Sequence, residues 1–128
     1  MNKKFTFDFD FFNCFEGICL IIDENGNILK YNPAGKVKLK INGKNKNIFD
    51  FLEKNDQEEL RKIIALCNSQ NKSFDYTALI KIDNKNIYLE IFIWQFFDNP
   101  NFEKDKKYYF ILANDITEKK EREEELQR

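Results

Sequence analysis

The sequence predicts an α+β fold: a five-stranded antiparallel sheet with short helices inserted between strands two and three, an N-terminal helix, and a C-terminal helix leaving the sheet. Three observations carry that prediction. Residues 18–23 and 28–31 are short apolar runs separated by Glu24-Asn25-Gly26-Asn27, an Asn-Gly hairpin turn. Residues 73–83 and 85–97 are two long β-type runs joined at Asp83-Asn84. Residues 108–113 form a further buried-type strand, after which Asp115-Ile116-Thr117-Glu118 switches the pattern into a highly charged helical stretch.

Composition narrows the class. With 128 residues the chain reads as one domain, large enough to bury a single core without disulfides or metals. A net charge of −1 and a pI of about 5.6 recruit neither nucleic acid nor an anionic membrane. There is no histidine, which excludes His-ligated haem, a Cys/His zinc finger, a Ser-His-Asp triad and a phosphoacceptor histidine. Cys14, Cys19 and Cys67 are odd in number and lack metal-ligand spacing, as expected of reduced thiols in a cytoplasmic protein. The apolar run at residues 18–22 is far short of the roughly 20 residues a membrane span needs, so no membrane contact is expected from this segment. No catalytic constellation emerges and no metal site is expected; the chain does not read as an enzyme.

Taken in order, residues 1–15 form an aromatic cap segment. Phe5, Phe7, Phe9 and Phe11 alternate as in a strand, whereas Phe11, Phe12 and Phe15 share one face of a helical turn. The helix, from about Asp8 to Gly17, is the better fit. The core follows at residues 16–117. Asn32-Pro33-Ala34-Gly35 ends the second strand, and Pro33 suits the first turn of a helix running to about Leu39. Lys36, Lys38, Lys40, Lys44 and Lys46 around it make a solvated basic surface, with Gly43 in a loop. Residues 47–52 are a short apolar helical turn. Asp56 then caps a helix to about Ser69, with Leu60, Ile63, Ile64 and Cys67 at helical spacing.

The strand at residues 85–97 carries Leu89, Ile91 and Ile93 on one face and Tyr88, Phe92, Trp94 and Phe96 on the other. Four large aromatics in a row need cover, from the Phe-rich N-terminal segment, a second subunit or both, and this is the ground for expecting a homodimer. After the polar loop at 98–107 and the strand at 108–113, either Asp115, with Glu118 closing a capping box, or Thr117 caps the last helix. Residues 118–128 begin a linker helix with only Ile116 and Leu126 as seam residues. Such a helix is marginal alone and is expected to continue toward an output domain.

Three stretches at matching separations carry a family resemblance: Glu16-Gly17-Ile18 through Asp23-Glu24-Asn25-Gly26, then Asn32-Pro33-Ala34, then Asp115-Ile116-Thr117-Glu118-Lys119-Lys120. Over nearly its whole length the chain resembles a PAS domain. In the family's Trp-x-Glu-x-Ser-x-Ser-Pro pattern, the matching residues 88–94 keep Glu90 and replace the rest with large aromatics and aliphatics. The resemblance implies a sensory or interaction module of a larger bacterial-type regulator, such as a sensor histidine kinase or a cyclic-nucleotide enzyme.

It further implies a pocket between the inner sheet face and the short helices. Phe49, Leu52, Leu89, Ile91, Ile93, Gln95, Tyr109, Ile111 and Ala113 would line it, with Gln95 and Tyr109 as polar anchors. The signal would leave through Asp115, Ile116 and Thr117. Residues 47–52 lack the cysteine of photoadduct-forming flavin domains, so a cysteine-adduct flavin is argued against along with His-ligated haem. Non-covalent flavin or a small organic ligand stays open, beside a core filled by its own side chains. The alternative function is a ligand-free dimerisation module.

Overall fold

The structure is a computed structural model and describes residues 9–41, 46–70, 72–96 and 107–126. Phe5, Phe7, Asp8, Gly43, Lys44, Phe97 and most of the loop at 98–107 lie outside the described residues, as do the side chains of Phe9, Phe11 and Phe96.

Helix α1 (Phe9–Cys14) leads into β1 (Ile18–Asp23) and β2 (Ile28–Tyr31). Helix α2 (Pro33–Leu39), a 3-10 turn (Ile48–Phe51) and helix α3 (Lys54–Gln70) follow, then β3 (Phe74–Ile82), β4 (Lys85–Phe96), β5 (Tyr108–Asp115) and α4 (Thr117–Leu126). The five strands form one antiparallel sheet in the order β2-β1-β5-β4-β3, so the last strand lies at its centre beside the first.

Both hairpins close where the sequence places them, by different means. Asp83 and Asn84 have φ of 51° and 64°, the two left-handed residues of a tight turn whose twist matches its strands. In the β1–β2 turn only Gly26 is left-handed, at φ 86°. There the Asp23 carboxylate does the shaping: its Oδ1 accepts the amides of Asn25 and Asn27, each at 2.9 Å. A side chain at Gly26 would also strike the Phe49 ring, since a Cβ there would lie 2.5 Å from it.

Several boundaries move; helix α1, expected to run to Gly17, ends at Cys14. Helix α3 begins at Lys54, so Asp56 lies within its first turn and accepts a hydrogen bond from the Tyr76 hydroxyl on β3 instead of capping. Strand β5 runs on to Asp115, because its ladder with β4 continues to the Leu89 and Asp115 pair.

Strand alternation sorts the side chains into two layers. On the inner face Ile18, Leu20 and Ile22, then Tyr109, Ile111 and Ala113, then Leu89, Ile91 and Ile93 pack beneath Leu60, Ile63, Ile64 and Cys67 of α3. On the outer face Cys19, Ile21, Tyr108 and Phe110 are buried with Phe12 of α1, and Phe15, Trp94 and Leu112 pack around them. At about 1.5–3 kcal/mol for each fully buried large apolar side chain, these two layers supply most of the drive to fold.

Candidate functional site

The inner layer is not completely filled. A cavity offering about 20 Å³ to the centre of a water-sized molecule lies between the sheet, α2 and the 3-10 turn. Its floor is Ile18 and Leu20 of β1, Ile80 of β3, Leu89 and Ile91 of β4, and Ile111 and Ala113 of β5; Leu39, Ile48, Phe51 and Leu52 close it from above. Every lining side chain is apolar, so the space has nothing to hold a water and suits a small apolar guest.

Five of the nine residues expected at a pocket wall it: Leu52, Leu89, Ile91, Ile111 and Ala113. The other four sit elsewhere. Phe49 is buried beside Gly26 with the Arg61 guanidinium 4.4 Å above its ring. Ile93 and Tyr109 share the inner face but lie farther along it under α3, where the Tyr109 hydroxyl donates to Asn68 and burial pushes its pKa up to about 12. Gln95 is half-buried, opposite Tyr109 in the β4–β5 register. The polar anchors therefore lie away from the cavity wall.

Ile18, Leu20, Leu39, Ile48, Phe51 and Ile80 complete the wall and were not among the expected residues. In β3 the alternation of Phe74, Tyr76, Ala78, Ile80 and Ile82 with Asp75, Thr77 and Lys81 is a signal that could have identified Ile80. Strand β1, by contrast, is apolar on both faces, and its spacing singles out neither Ile18 nor Leu20.

Asn32 is a second residue whose role spacing alone does not reveal. It is 0% exposed, and its side chain uses its whole hydrogen-bonding capacity. The Oδ1 accepts from the amides of Cys19 at 2.9 Å and Gly35 at 2.8 Å; the Nδ2 donates to the carbonyls of Gly17 at 2.8 Å and Phe15 at 3.2 Å. This one amide caps α2 and ties it to β1 and to the segment that follows α1.

At the far end of β5 the three expected exit residues are brought together. The Ile116 amide donates to the Tyr88 carbonyl at 2.9 Å, and the Tyr88 amide donates to Thr117 Oγ1 at 3.0 Å. Asp115 Oδ1 accepts the Thr117 hydroxyl at 2.5 Å and the Thr117 amide at 3.0 Å, while Oδ2 lies 3.5 Å from Lys38 Nζ on α2. The capping box does not form: Glu118 reaches forward to Arg122 at 2.8 Å, because an exposed i,i+4 partner lies on its own helix face. Partial burial raises the Asp115 pKa, but the Thr117 hydroxyl and amide and the Lys38 ammonium outweigh it, holding the carboxyl below its ordinary 3.8.

Of the four aromatics expected to share an interface, Trp94 stacks on Phe110 with ring centres 4.7 Å apart, and Phe12 of α1 meets Phe110 edge-on at 6.1 Å. Phe92 is half-buried, and Tyr88 lies at the α4 junction. Burial pushes Cys19 up to about 11 and raises Cys67, so both are thiols at neutral pH. Among the described residues no group of three or more Cys, Asp or Glu is placed to hold a metal, and no helix is long and apolar enough to cross a membrane.

The sequence profile described as "PAS domain" matches residues 16–118. A search of curated proteins returned no match. Among solved structures, the PAS domain of a Desulfitobacterium hafniense protein is 21% identical with a TM-score of 0.61, over 83% of this chain and 98% of that one. The PAS domain of a two-component sensor histidine kinase is 9% identical with a TM-score of 0.63, over 80% and 87%. The PAS domain of the RpfR quorum-sensing receptor of Cronobacter turicensis, in complex with BDSF, is 16% identical with a TM-score of 0.58, over 80% and 95%. At these identities the structural likeness speaks to the fold.

Proposed function

Because the chain belongs to the PAS domain family of sensory modules, we propose that it takes a small apolar molecule into its inner cavity and passes its state through α4 to a C-terminal output domain, as in a sensor histidine kinase. One observation carries this reading. Leu89, on the cavity wall, is paired in register with Asp115, and its chain neighbour Tyr88 holds the start of α4 through both backbone groups. A guest that displaces Leu89 therefore acts on the exit helix one residue away.

The cavity is far smaller than the roughly 300–1,000 Å³ of ordinary ligand sites. A flavin would require the walls to separate, so a small apolar guest is favoured over a non-covalent flavin. The working compartment is the cytoplasm, in keeping with free thiols at Cys14, Cys19 and Cys67.

Native mass spectrometry of the purified protein tests the proposal, with xenon titration of its methyl resonances as a probe. Stoichiometric guest mass, or saturable xenon shifts at Leu39, Leu89 and Ile111, is the expected result. A clean apo mass with no xenon shifts would refute it. That second outcome would favour the alternative, a ligand-free homodimerisation module, for which the half-buried Phe92 and Trp94 on the outer sheet face speak.

A further inference from the structure

Helix α2 is fastened very differently at its two ends. Its first turn is anchored by Asn32, a fully buried residue whose side chain makes four hydrogen bonds, two of them buried and two partly buried. Gly35, one turn on, is pressed so close that an added Cβ would lie 3.1 Å from Asn32 Oδ1. The far end carries Leu39, which closes the cavity, and is tied across to the sheet by two lysines. Lys38 reaches Asp115 at the end of β5, and Lys40 reaches Asp83 in the β3–β4 turn.

Both ties are solvent-exposed ion pairs. The side chains of Lys38 and Asp115 are 52% and 28% accessible, and those of Lys40 and Asp83 are each 61% accessible. Exposed pairs are weak and screened by salt, whereas buried, fully satisfied amides are not. Opening at the Leu39 end would break only these exposed pairs and the burial of Leu39 and Ile41, and would leave the Asn32 bonds intact as a pivot.

The tie to Asp115 has a second attachment. The oxygen not facing Lys38 is the one that accepts both the hydroxyl and the amide of Thr117 at the first turn of α4. We infer that α2 is a hinged cover on the cavity, and that the Lys38–Asp115 pair couples its closure to the docking of α4, since one carboxylate serves both. The inference rests on reading α4 as the route of exit. By reciprocity, loosening either helix must loosen the other.

The test is residue-resolved amide exchange on the whole chain with the cavity empty, comparing wild type, Lys38→Met and Lys38→Arg. In Lys38→Met, exchange should rise about 1.5- to 5-fold, the range an exposed pair supports, at Leu39 to Ile41 and equally at Thr117 and Lys120. The inner-face amides Tyr109 and Ile111 should not change. Lys38→Arg should restore wild-type rates, and wild type in about 1 M salt should behave like Lys38→Met, an arm that needs no variant to fold. Faster exchange in α2 with α4 unchanged would overturn the coupling. No change in either helix would overturn the latch itself. Since no guest is present, failure of the small-molecule reading leaves either result standing.

Discussion

Asn32 and Asp115 make an instructive pair. Each is a short polar side chain that organises the first turn of a helix, one at the entry to α2 and the other at the entry to α4. Asn32 is neutral, fully buried and saturated by backbone groups of three segments. Asp115 is charged and exposed, and it divides its two oxygens between α4 and a lysine on α2. A buried, fully satisfied amide has one arrangement, because every alternative leaves groups unpaired at about 1–3 kcal/mol each. An exposed carboxylate has water as a ready substitute and can change partners at little cost. The first is suited to a fixed pivot and the second to an adjustable joint.

Three experiments press on that contrast, in order of expected effect. Asn32→Ala should lower global stability by about 2–4 kcal/mol, because the buried amides of Cys19 and Gly35 lose their partner and the half-buried carbonyl of Gly17 loses one as well. Chemical denaturation would measure this; a loss under about 1 kcal/mol, comparable to a surface cap, would erase the distinction.

The double variant Asp115→Ala, Thr117→Ala removes the capping groups at the other site, worth about 0.5–2 kcal/mol each. The effect should be confined to α4. Core thermal unfolding should stay within a few degrees of wild type while protection at Thr117 and Lys120 is lost, and in a full-length regulator the output should no longer follow the signal. Collapse of the whole fold would make Asp115 a structural clasp like Asn32, and normal regulation would remove it from the exit mechanism.

The smallest effect is one of pH. The Asp115 carboxyl titrates below its ordinary 3.8 in the folded state, so its contribution is present above that pH and is lost as pH falls through the lowered value. The Thr117 amide resonance should therefore titrate with a midpoint below 3.8, and Lys38→Met should move that midpoint upward. A midpoint at or above 3.8 in wild type would mean that the Lys38 and Thr117 ties do not hold in solution.

Much of this architecture is legible in local spacing. The period-two runs separate Leu89, Ile91 and Ile93 from Phe92 and Trp94, and Asp83-Asn84 and Gly26 mark the turns. Asp115-Ile116-Thr117 marks the junction of strand and helix, because in each case the cause lies within a few residues of the effect. What tertiary structure decided lies between segments far apart in the chain. Gln95 and Tyr109 follow the inner-face alternation that suggests a pocket lining, yet only the packing of α3 takes the Tyr109 hydroxyl to Asn68, away from the cavity. Lys38 reads as one of several solvated lysines until sheet order brings β5 beside β1 and sets Asp115, 77 residues later, within reach of α2. The sequence by itself determined the two faces of β4, the positions of the hairpin turns and the strand-to-helix junction at Asp115, each set by neighbouring residues. The size of the cavity and the link between its cover and the exit helix followed only from how the layers stack, because the free volume depends on side chains contributed by several elements at once.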